Sequence, residues 1–417
     1  MYKRNGARGP RAIVYSGQQI VARFTACPTK PQRMDLSLTF RSPSPFLLPK
    51  SKPSTLSIPL ISLKPSPHRL TVAAAAGKMK MIEGVSDELN SIASQNLDYA
   101  AARRRVRSAF IPVHQQLDHL LFKMAPTGVR TEEWIERNSK GLEIFFRRWM
   151  PEPGVKIKGV VCFCHGYGDT CTFFFEGIAR FIAASGYGVY AIDHPGFGLS
   201  EGLHGYIYSF DELADNVIEQ YAKIKERPEV RGLPCFILGQ SMGGAVTLKV
   251  HFKDPHGWDG IILVAPMCKI ADDVTPSKPV LNFLTFLSKV MPTAKLVPQK
   301  DLAELMFRDS RKKKMAVYNV ICYDDRVRLR TAVELLNATK EIEEQVDKVS
   351  SPLLILHGAA DKVTDPVVSQ FLYENASSKD KTLKLYEEGY HCILEGEPDD
   401  RILTVLNDII SWLDARC

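Results

Sequence analysis

The sequence predicts an α/β fold: a mostly parallel central sheet with helices on both faces and an inserted helical cap. Three observations carry that reading. Short apolar runs alternate with amphipathic stretches between residues 131 and 266, the rhythm of βαβ units. The rhythm stops at Met267 and returns after residue 345, leaving an insert with no clear strand pattern. The run Cys235 to Leu238 feeds Gly239-Gln240-Ser241-Met242-Gly243-Gly244 and then helix-forming residues, so strand, sharp turn and helix meet at a serine.

The composition is that of a globular chain, with 45% apolar and 24% charged residues among 417. The formal net charge of +7 is unevenly placed. Residues 1–77 hold 12 of the 54 basic residues and one acidic residue, Asp35, leaving 42 basic against 46 acidic beyond them. The basic excess belongs to the leader, so nothing points the folded part toward nucleic acid. No apolar run reaches the roughly 18 residues of a membrane-spanning helix. Nine cysteines, Cys27 of them in the leader, show no C-x-x-C pair, which suggests reduced buried thiols and neither a disulfide frame nor a zinc site. No metal or organic cofactor is implied.

Taken in order, residues 1–77 are rich in Arg, Ser and Pro and end in Ala73-Ala-Ala-Ala76-Gly77. That composition cannot bury a core and is expected to be a chloroplast-type transit leader, with a cytoplasmic protein carrying a disordered tail as the alternative. Met34-Asp-Leu-Ser-Leu offers a second possible start for the chain. Residues 78–130 form a helical extension, with Leu89, Ile92, Leu97 and Ala100 in helical spacing. Its cluster Arg103-Arg-Arg-Val-Arg107 reads as a solvated helix face.

The first part of the core spans 131–266. A strand pair fills 131–149 around the turn Asn138-Ser-Lys-Gly141. Val160 to Cys164 and Gly188 to Ile192 are short buried strands on either side of a helix at 173–184. Ser209-Phe-Asp-Glu212 has the pattern of a capping box that opens an amphipathic helix. Ile261 to Val264 is the last strand before the cap at 267–345. In the cap, residues 280–291 make a densely apolar helix, either ordinary core or the wall of an acyl site. Arg311-Lys-Lys-Lys314 reads as solvated, and Thr331 as the cap of the final cap helix. The second part of the core, 346–417, supplies strands at 353–356 and 382–385 and a closing amphipathic helix at 402–413.

The chemistry centres on Ser241. A serine at a strained strand-to-helix apex projects its hydroxyl from the sheet edge, with the helix N-terminus and the Met242 N–H facing charge that develops on a bound carbonyl. Gly198-Leu-Ser200-Glu-Gly202 matches the same G-x-S-x-G pattern but lacks the strand before it and the helix after it, so Ser200 reads as a decoy. Asp361 follows the 353–356 strand and His391 follows the 382–385 strand, both where loops leave the carboxyl ends of parallel strands. His391 then takes the Ser241 proton and Asp361 fixes the imidazole tautomer. Asp365 is a further acid candidate, and Asp361 is preferred as nearer its strand. Tyr167 N–H joins Met242 N–H as oxyanion donor, each such donor being worth about 3–4 kcal/mol in the transition state. His165, Asp193, His194 and His357 read as turn residues.

Together, Cys162-Phe-Cys-His-Gly-Tyr-Gly-Asp-Thr170, Gly239-Gln-Ser-Met-Gly-Gly244, Ala265-Pro-Met-Cys268 and His357-Gly-Ala-Ala-Asp-Lys-Val-Thr-Asp365 resemble the plant monoacylglycerol lipase and caffeoylshikimate esterase family of α/β-hydrolases. The resemblance runs from about residue 85 to the end. It implies the α/β-hydrolase fold, an acyl-ester substrate, and a serine esterase with Ser241, Asp361 and His391 as triad and Tyr167 and Met242 as oxyanion donors. It also implies that Asp169 occupies the position of a glycerol-gripping Glu, while Phe173 and Leu394 replace the Arg and second His that grip glycerol in animal monoacylglycerol lipases. A monoacylglycerol, a phenolic ester such as caffeoylshikimate, and a lysophospholipid all fit that family. A peripheral membrane contact through the cap is a further expectation; the oligomeric state is open.

Overall fold

The computed structural model describes residues 81–124, 126–269, 278–297 and 303–417. The leader at 1–77, with Cys27 and the second start at Met34, lies outside the described residues. So do two stretches of the cap, 270–277 and 298–302.

The chain enters through α1 (Asp87–Ala93), α2 (Ala100–His114) and α3 (Leu120–Lys123), then a hairpin of β1 (Arg130–Arg137) and β2 (Glu143–Met150). There follow β3 (Val160–Cys164), α4 (Phe174–Ala184), β4 (Gly188–Ile192), α5 (Phe210–Lys225), β5 (Cys235–Gln240), α6 (Met242–Lys253) and β6 (Gly260–Val264). Among the described residues, the cap contributes α7 (Lys278–Val290), α8 (Ala303–Met306), α9 (Ser310–Ala316) and α10 (Leu329–Glu344). The chain closes with β7 (Leu353–Gly358), α11 (Pro366–Asn375), β8 (Lys381–Tyr386) and α12 (Asp399–Asp414).

The strands form one sheet in the order β1-β2-β4-β3-β5-β6-β7-β8. The β1–β2 and β2–β4 pairs are antiparallel, and every later pair is parallel. Strand alternation sorts the core. Val161, Phe163, Leu238, Val264 and Leu356 face α4, α12 and α2; Cys162, Cys164, Ile237, Leu263 and Ile355 face α5, α6 and α11. Both faces are covered, which is why the parallel strands read as continuous apolar runs. From β3 the chain steps to β4 on one side, then returns through α5 to β5 on the other. The loops after β3 and β5 therefore leave in opposite directions and open a crevice at the carboxyl ends of the strands.

Helix starts follow their local chemistry. Ser209 accepts from the Glu212 N–H and opens α5, with Asp211 and Glu212 in its first turn and Lys223 and Lys225 in its last. Asp365 accepts from the Val367 N–H at the start of α11, with Pro366 in the first helical position. The α10 start differs from expectation. Its first residue is Leu329, after Arg328, and Thr331 lies buried inside the first turn, donating to Gly205 O and accepting from Ile207 N. Arg328 sets that start: its guanidinium donates to His204 O, Thr293 O and the Asp98 carboxylate.

The basic clusters are solvated only in part: Arg105, Arg311 and Lys314 are exposed, but other members turn inward. Arg103 is fully buried, donating from Nε to Gly198 O at 2.5 Å, from Nη2 to Ser200 O at 2.6 Å and from Nη1 to Leu97 O at 2.7 Å. Burial pushes its guanidinium down to about 10, with Asp193 opposing, so it stays charged at neutral pH. Arg104 reaches Leu199 O and Glu143, and Arg107 forks onto Glu133. In α9, Lys312 is buried and donates to Glu397 O and Asp399. Arg103 and Lys312 point inward because loop carbonyls and a carboxylate accept from them there.

The α7 helix resolves its own ambiguity in part. Val280, Phe283, Phe286 and Val290 are exposed, Phe286 by 62%, so this face is not core.

Arg103→Met should cost about 3 kcal/mol, because it strands several buried carbonyls at once. Urea unfolding with unchanged slope checks it. Arg105→Met, on the exposed side of the same helix, should shift stability by no more than about 0.5 kcal/mol. Equal effects would show that α2 is held by packing alone.

Candidate active site

The crevice between β3 and β5 carries Ser241. The residue sits between the end of β5 and the first residue of α6 with φ 54° and ψ −119°, a left-handed conformation that an L side chain rarely takes. Its N–H donates to Val264 O at 3.0 Å and its carbonyl accepts from Met267 N at 2.9 Å, so the end of β6 and the loop after it pin the apex on both sides. Gly243 makes the turn possible: a Cβ there would collide with the Cys164 and His165 carbonyls. Strand and helix can pass this closely only with hydrogen at that position.

Two loops from the far strands close on the serine. His391, beyond β8, places Nε2 3.1 Å from Ser241 Oγ. Asp361, beyond β7, places Oδ2 2.7 Å from His391 Nδ1. A carboxylate at Nδ1 fixes the proton there and leaves Nε2 as an acceptor toward the hydroxyl. All three residues fall where the sequence placed them. Asp365 lies on α11 as its N-cap and takes no part.

The Asp361 carboxylate is crowded with donors. Oδ1 accepts from Val363 N and Thr364 N; Oδ2 accepts from His391, from Thr364 Oγ1 at 2.9 Å and from His357 Nε2 at 3.0 Å. Burial alone would raise this carboxyl. The hydrogen bonds from His357, His391 and Val363 outweigh burial and hold it well below the usual carboxylate range. His357 is thus more than a turn residue. Ser369 Oγ stands 2.6 Å from its Nδ1, and its Nε2 faces both Asp361 and Thr364 O, so the ring braces the acid from behind. Its spacing of four from Asp361 is the signal in the sequence that could have paired them.

On the β3 side, the turn 165–170 brings Tyr167 and Asp169 to the crevice. The expected oxyanion donors lie on adjacent strands' loops, Met242 N–H as the first amide of α6 and so one that the helix cannot itself satisfy. The turn is fixed from two directions. His165 Nδ1 meets Gly166 O, and its Nε2 accepts from His194 N; from the cap, Tyr323 N donates to Gly168 O at 2.8 Å. Asp169 Oδ1 accepts from Asn319 Nδ2 at 3.1 Å, and burial raises its carboxyl from the ordinary value, with His165 opposing. Phe173 and Leu394 are buried in the core; Phe173 packs against His114, Phe122 and Phe174.

Glu395 and Gln240 escaped the sequence reading. Glu395 Oε1 accepts from Gln240 Nε2 at 2.7 Å, immediately beside the serine in the chain. Burial first, and then the Asp169 charge, push the Glu395 carboxyl up to about 7. The two residues lie 155 positions apart, and nothing local in the sequence links them.

The decoy is structural. Ser200 is fully buried, donating to Asp193 O and accepting from Phe145 N, and among the described residues its hydroxyl has no hydrogen bond to an imidazole. A cavity of about 390 Å³ lies between the β1–β2 turn, the 195–209 loop and the start of α5, and none of Ser241, Asp361 or His391 lines it. Volume alone does not mark the chemistry here; the serine–imidazole–carboxylate line does.

This geometry agrees with comparisons to known proteins. The family model described as serine aminopeptidase, S33, matches residues 155–399. Caffeoylshikimate esterase of Arabidopsis thaliana is 35% identical over 290 residues, covering 69% of this chain and 87% of that protein. Monoglyceride lipase of Rattus norvegicus is 30% identical over 283 residues, covering 67% and 89%. A soluble variant of monoglyceride lipase from Saccharomyces cerevisiae, solved with a substrate analogue, superposes with a TM-score of 0.59 at 24% identity, over 70% of this chain and 99% of that one, and so supports the fold. With the β3–β5 crevice, the serine elbow and these matches in agreement, the chain belongs to the serine aminopeptidase S33 family, as an α/β-hydrolase of the group that includes monoglyceride lipases and caffeoylshikimate esterase.

Proposed function

We propose that the protein is a serine ester hydrolase that cleaves monoacylglycerol-type carboxylic esters through an acyl-enzyme. The observation that carries this reading is the line Ser241 Oγ, His391 Nε2, His391 Nδ1, Asp361 Oδ2, with steps of 3.1 and 2.7 Å. In this reading His391 takes the Ser241 proton as Oγ attacks the ester carbonyl carbon. The Tyr167 and Met242 amides hold the oxyanion. On collapse, the C–O bond to the alcohol breaks and His391 returns the proton to the leaving oxygen. Water, deprotonated by the same imidazole, then releases the acid and restores Ser241. Asp361 keeps its negative charge throughout and steadies the imidazolium; its many donors suit that role.

Monoglyceride lipases among the relatives support the acyl-glycerol reading, as does the retained acid at Asp169. The higher identity to caffeoylshikimate esterase favours a second reading, a phenolic ester cleaved by the same machinery. The buried Phe173 and Leu394 fit either, since neither presents a polar group to an alcohol. The apolar face of α7 supports a peripheral membrane contact through the cap. Phe283 and Phe286 lie on it 60% and 62% exposed, and Val290 64%.

Ser241→Ala should lower ester turnover by about 10⁴-fold or more while leaving the unfolding midpoint near that of the wild type. Hydrolysis of a 2-monoacylglycerol series beside caffeoylshikimate and lysophosphatidylcholine reads both the loss and the substrate class. Retained turnover in the alanine variant would remove Ser241 from the mechanism. For the cap, Phe283→Asp with Phe286→Asp should weaken co-sedimentation with phosphatidylcholine vesicles at unchanged turnover of a soluble short-chain ester. Equal sedimentation would exclude α7 as the contact.

A further inference from the structure

We propose that His119, on the N-terminal extension, is a positioning residue for the catalytic base: through the Glu395 carbonyl it fixes the loop that presents His391 to Ser241. The inference rests on the ester-hydrolase reading and gives the extension a part in the reaction.

The hydrogen bonds of the ring are the first ground. His119 lies just before α3 and is 1% exposed. Leu121 N donates to its Nδ1 at 3.1 Å, so that nitrogen is the acceptor and the proton sits on Nε2. Nε2 donates to Glu395 O at 2.9 Å, across 276 positions of the chain. One ring thus caps a helix of the extension with one nitrogen and holds a carbonyl of the core with the other. The Phe122 and Phe174 rings stand 6.0 and 4.9 Å from the imidazole, centroid to centroid. Burial pushes the imidazole down to about 4, with the Glu395 carbonyl opposing, so it is neutral at neutral pH. A neutral ring is what the pattern needs, since a proton on Nδ1 would face the Leu121 N–H.

The loop that it holds is the second ground. Within the loop, Ile393 N reaches His391 O at 3.0 Å, and Glu395 N and Gly396 N converge on Cys392 O at 3.2 and 2.6 Å. Further bonds come from outside. From the cap, Met306 O accepts from Cys392 N, and Arg308 N and Asp309 N donate to Gly396 O. Gln240, the residue before Ser241, donates to the Glu395 carboxyl. From the extension, His119 holds Glu395 O. Glu395 is therefore tied through its side chain to the neighbour of the nucleophile and through its backbone to His119. The His391 imidazole, 3.1 Å from Ser241 Oγ, tolerates little drift: a misplacement of about 1 Å can cost on the order of 100-fold in rate.

The reach of the extension is the third ground. It grips other segments in the same manner, with side chains on backbone carbonyls. Arg103 holds Gly198 O and Ser200 O, and His114 Nε2 meets Tyr318 O of the cap at 2.8 Å. The contact of His119 meets the loop of the catalytic base itself.

Three variants of the full chain separate the two bonds of the ring. His119→Phe keeps an aromatic ring and loses both bonds. His119→Asn keeps an acceptor for Leu121 N and falls short of Glu395 O. His119→Gln places an amide N–H at the reach of Nε2. The readout is kcat and KM on p-nitrophenyl decanoate, with active sites counted by exhaustive fluorophosphonate labelling and the unfolding midpoint measured alongside. His119→Phe and His119→Asn should each lose on the order of tenfold or more in kcat with KM within about twofold of wild type, and His119→Gln should recover most of that loss. His119→Asn serves if His119→Phe does not fold. A merely structural His119 would lower the midpoint and leave kcat per active site fixed. Wild-type kcat in folded His119→Phe or His119→Asn overturns the proposal, as does His119→Gln no better than His119→Phe. If wild type cleaves p-nitrophenyl decanoate and the folded variants match it, the positioning role is wrong and the ester-hydrolase reading stands. If wild type cleaves no ester, both fall.

Discussion

The site depends on one strained residue held in place. Ser241 at φ 54° is a conformation costing on the order of 1–3 kcal/mol, and it persists because its surroundings leave no alternative. Its amide is bonded to the end of β6 and its carbonyl to Met267 just beyond, and Gly243 lets α6 start against the Cys164 carbonyl. That single constraint sets the direction of the hydroxyl. It also places the Met242 amide on the same side, because a helix that begins at the apex must point its first N–H groups toward the loop after β3. The topological step between β3 and β5 then brings the oxyanion turn to the same opening.

The rest of the chain holds that opening from outside. Arg103 grips the carbonyls of Gly198 and Ser200, and the loop they belong to starts at Asp193, whose carboxylate accepts from Cys171 N, Leu199 N and Thr170 Oγ1. Arg328 ties the same loop to the cap through His204 O and to the N-terminal extension through Asp98. The extension is therefore part of the scaffold, contributing Val106, Phe110 and Leu121 to the core. Buried cations bound to carbonyls carry a desolvation cost that their hydrogen bonds offset, so each is sensitive to the loss of a partner.

Much of this was legible in the sequence where function imposes a local pattern. The elbow is a six-residue string whose meaning depends on the strand before and the helix after, and the same test set Ser200 aside. Asp361 and His391 follow from chain order once the strands are placed. The inward-facing cations were not legible, because a charged residue on an amphipathic helix usually meets water; Arg103 meets carbonyls 95 and 97 residues away, and no local pattern announces them. The α10 start was misplaced for a related reason: Thr331 is a good capping residue by type, but its hydroxyl is engaged by Gly205 and Ile207 across the fold. Gln240 and Glu395 flank the site through a hydrogen bond across 155 positions, whereas His357 braces Asp361 from only four residues away.

The electrostatics divide the acids near the serine into two kinds. Asp361 is surrounded by donors and stays ionised; the half-buried Asp169 and the buried Glu395 have carboxyls raised above the ordinary value, by burial first. The first kind suits a permanent countercharge to an imidazolium. Ser241 alone is activated by this arrangement. Peptide mass spectrometry after treatment of the full chain with a fluorophosphonate tests it most directly. One phosphonyl adduct is expected, on the peptide that contains Ser241, and it should be lost in His391→Ala. An adduct on Ser200, or none on the folded protein, would contradict it.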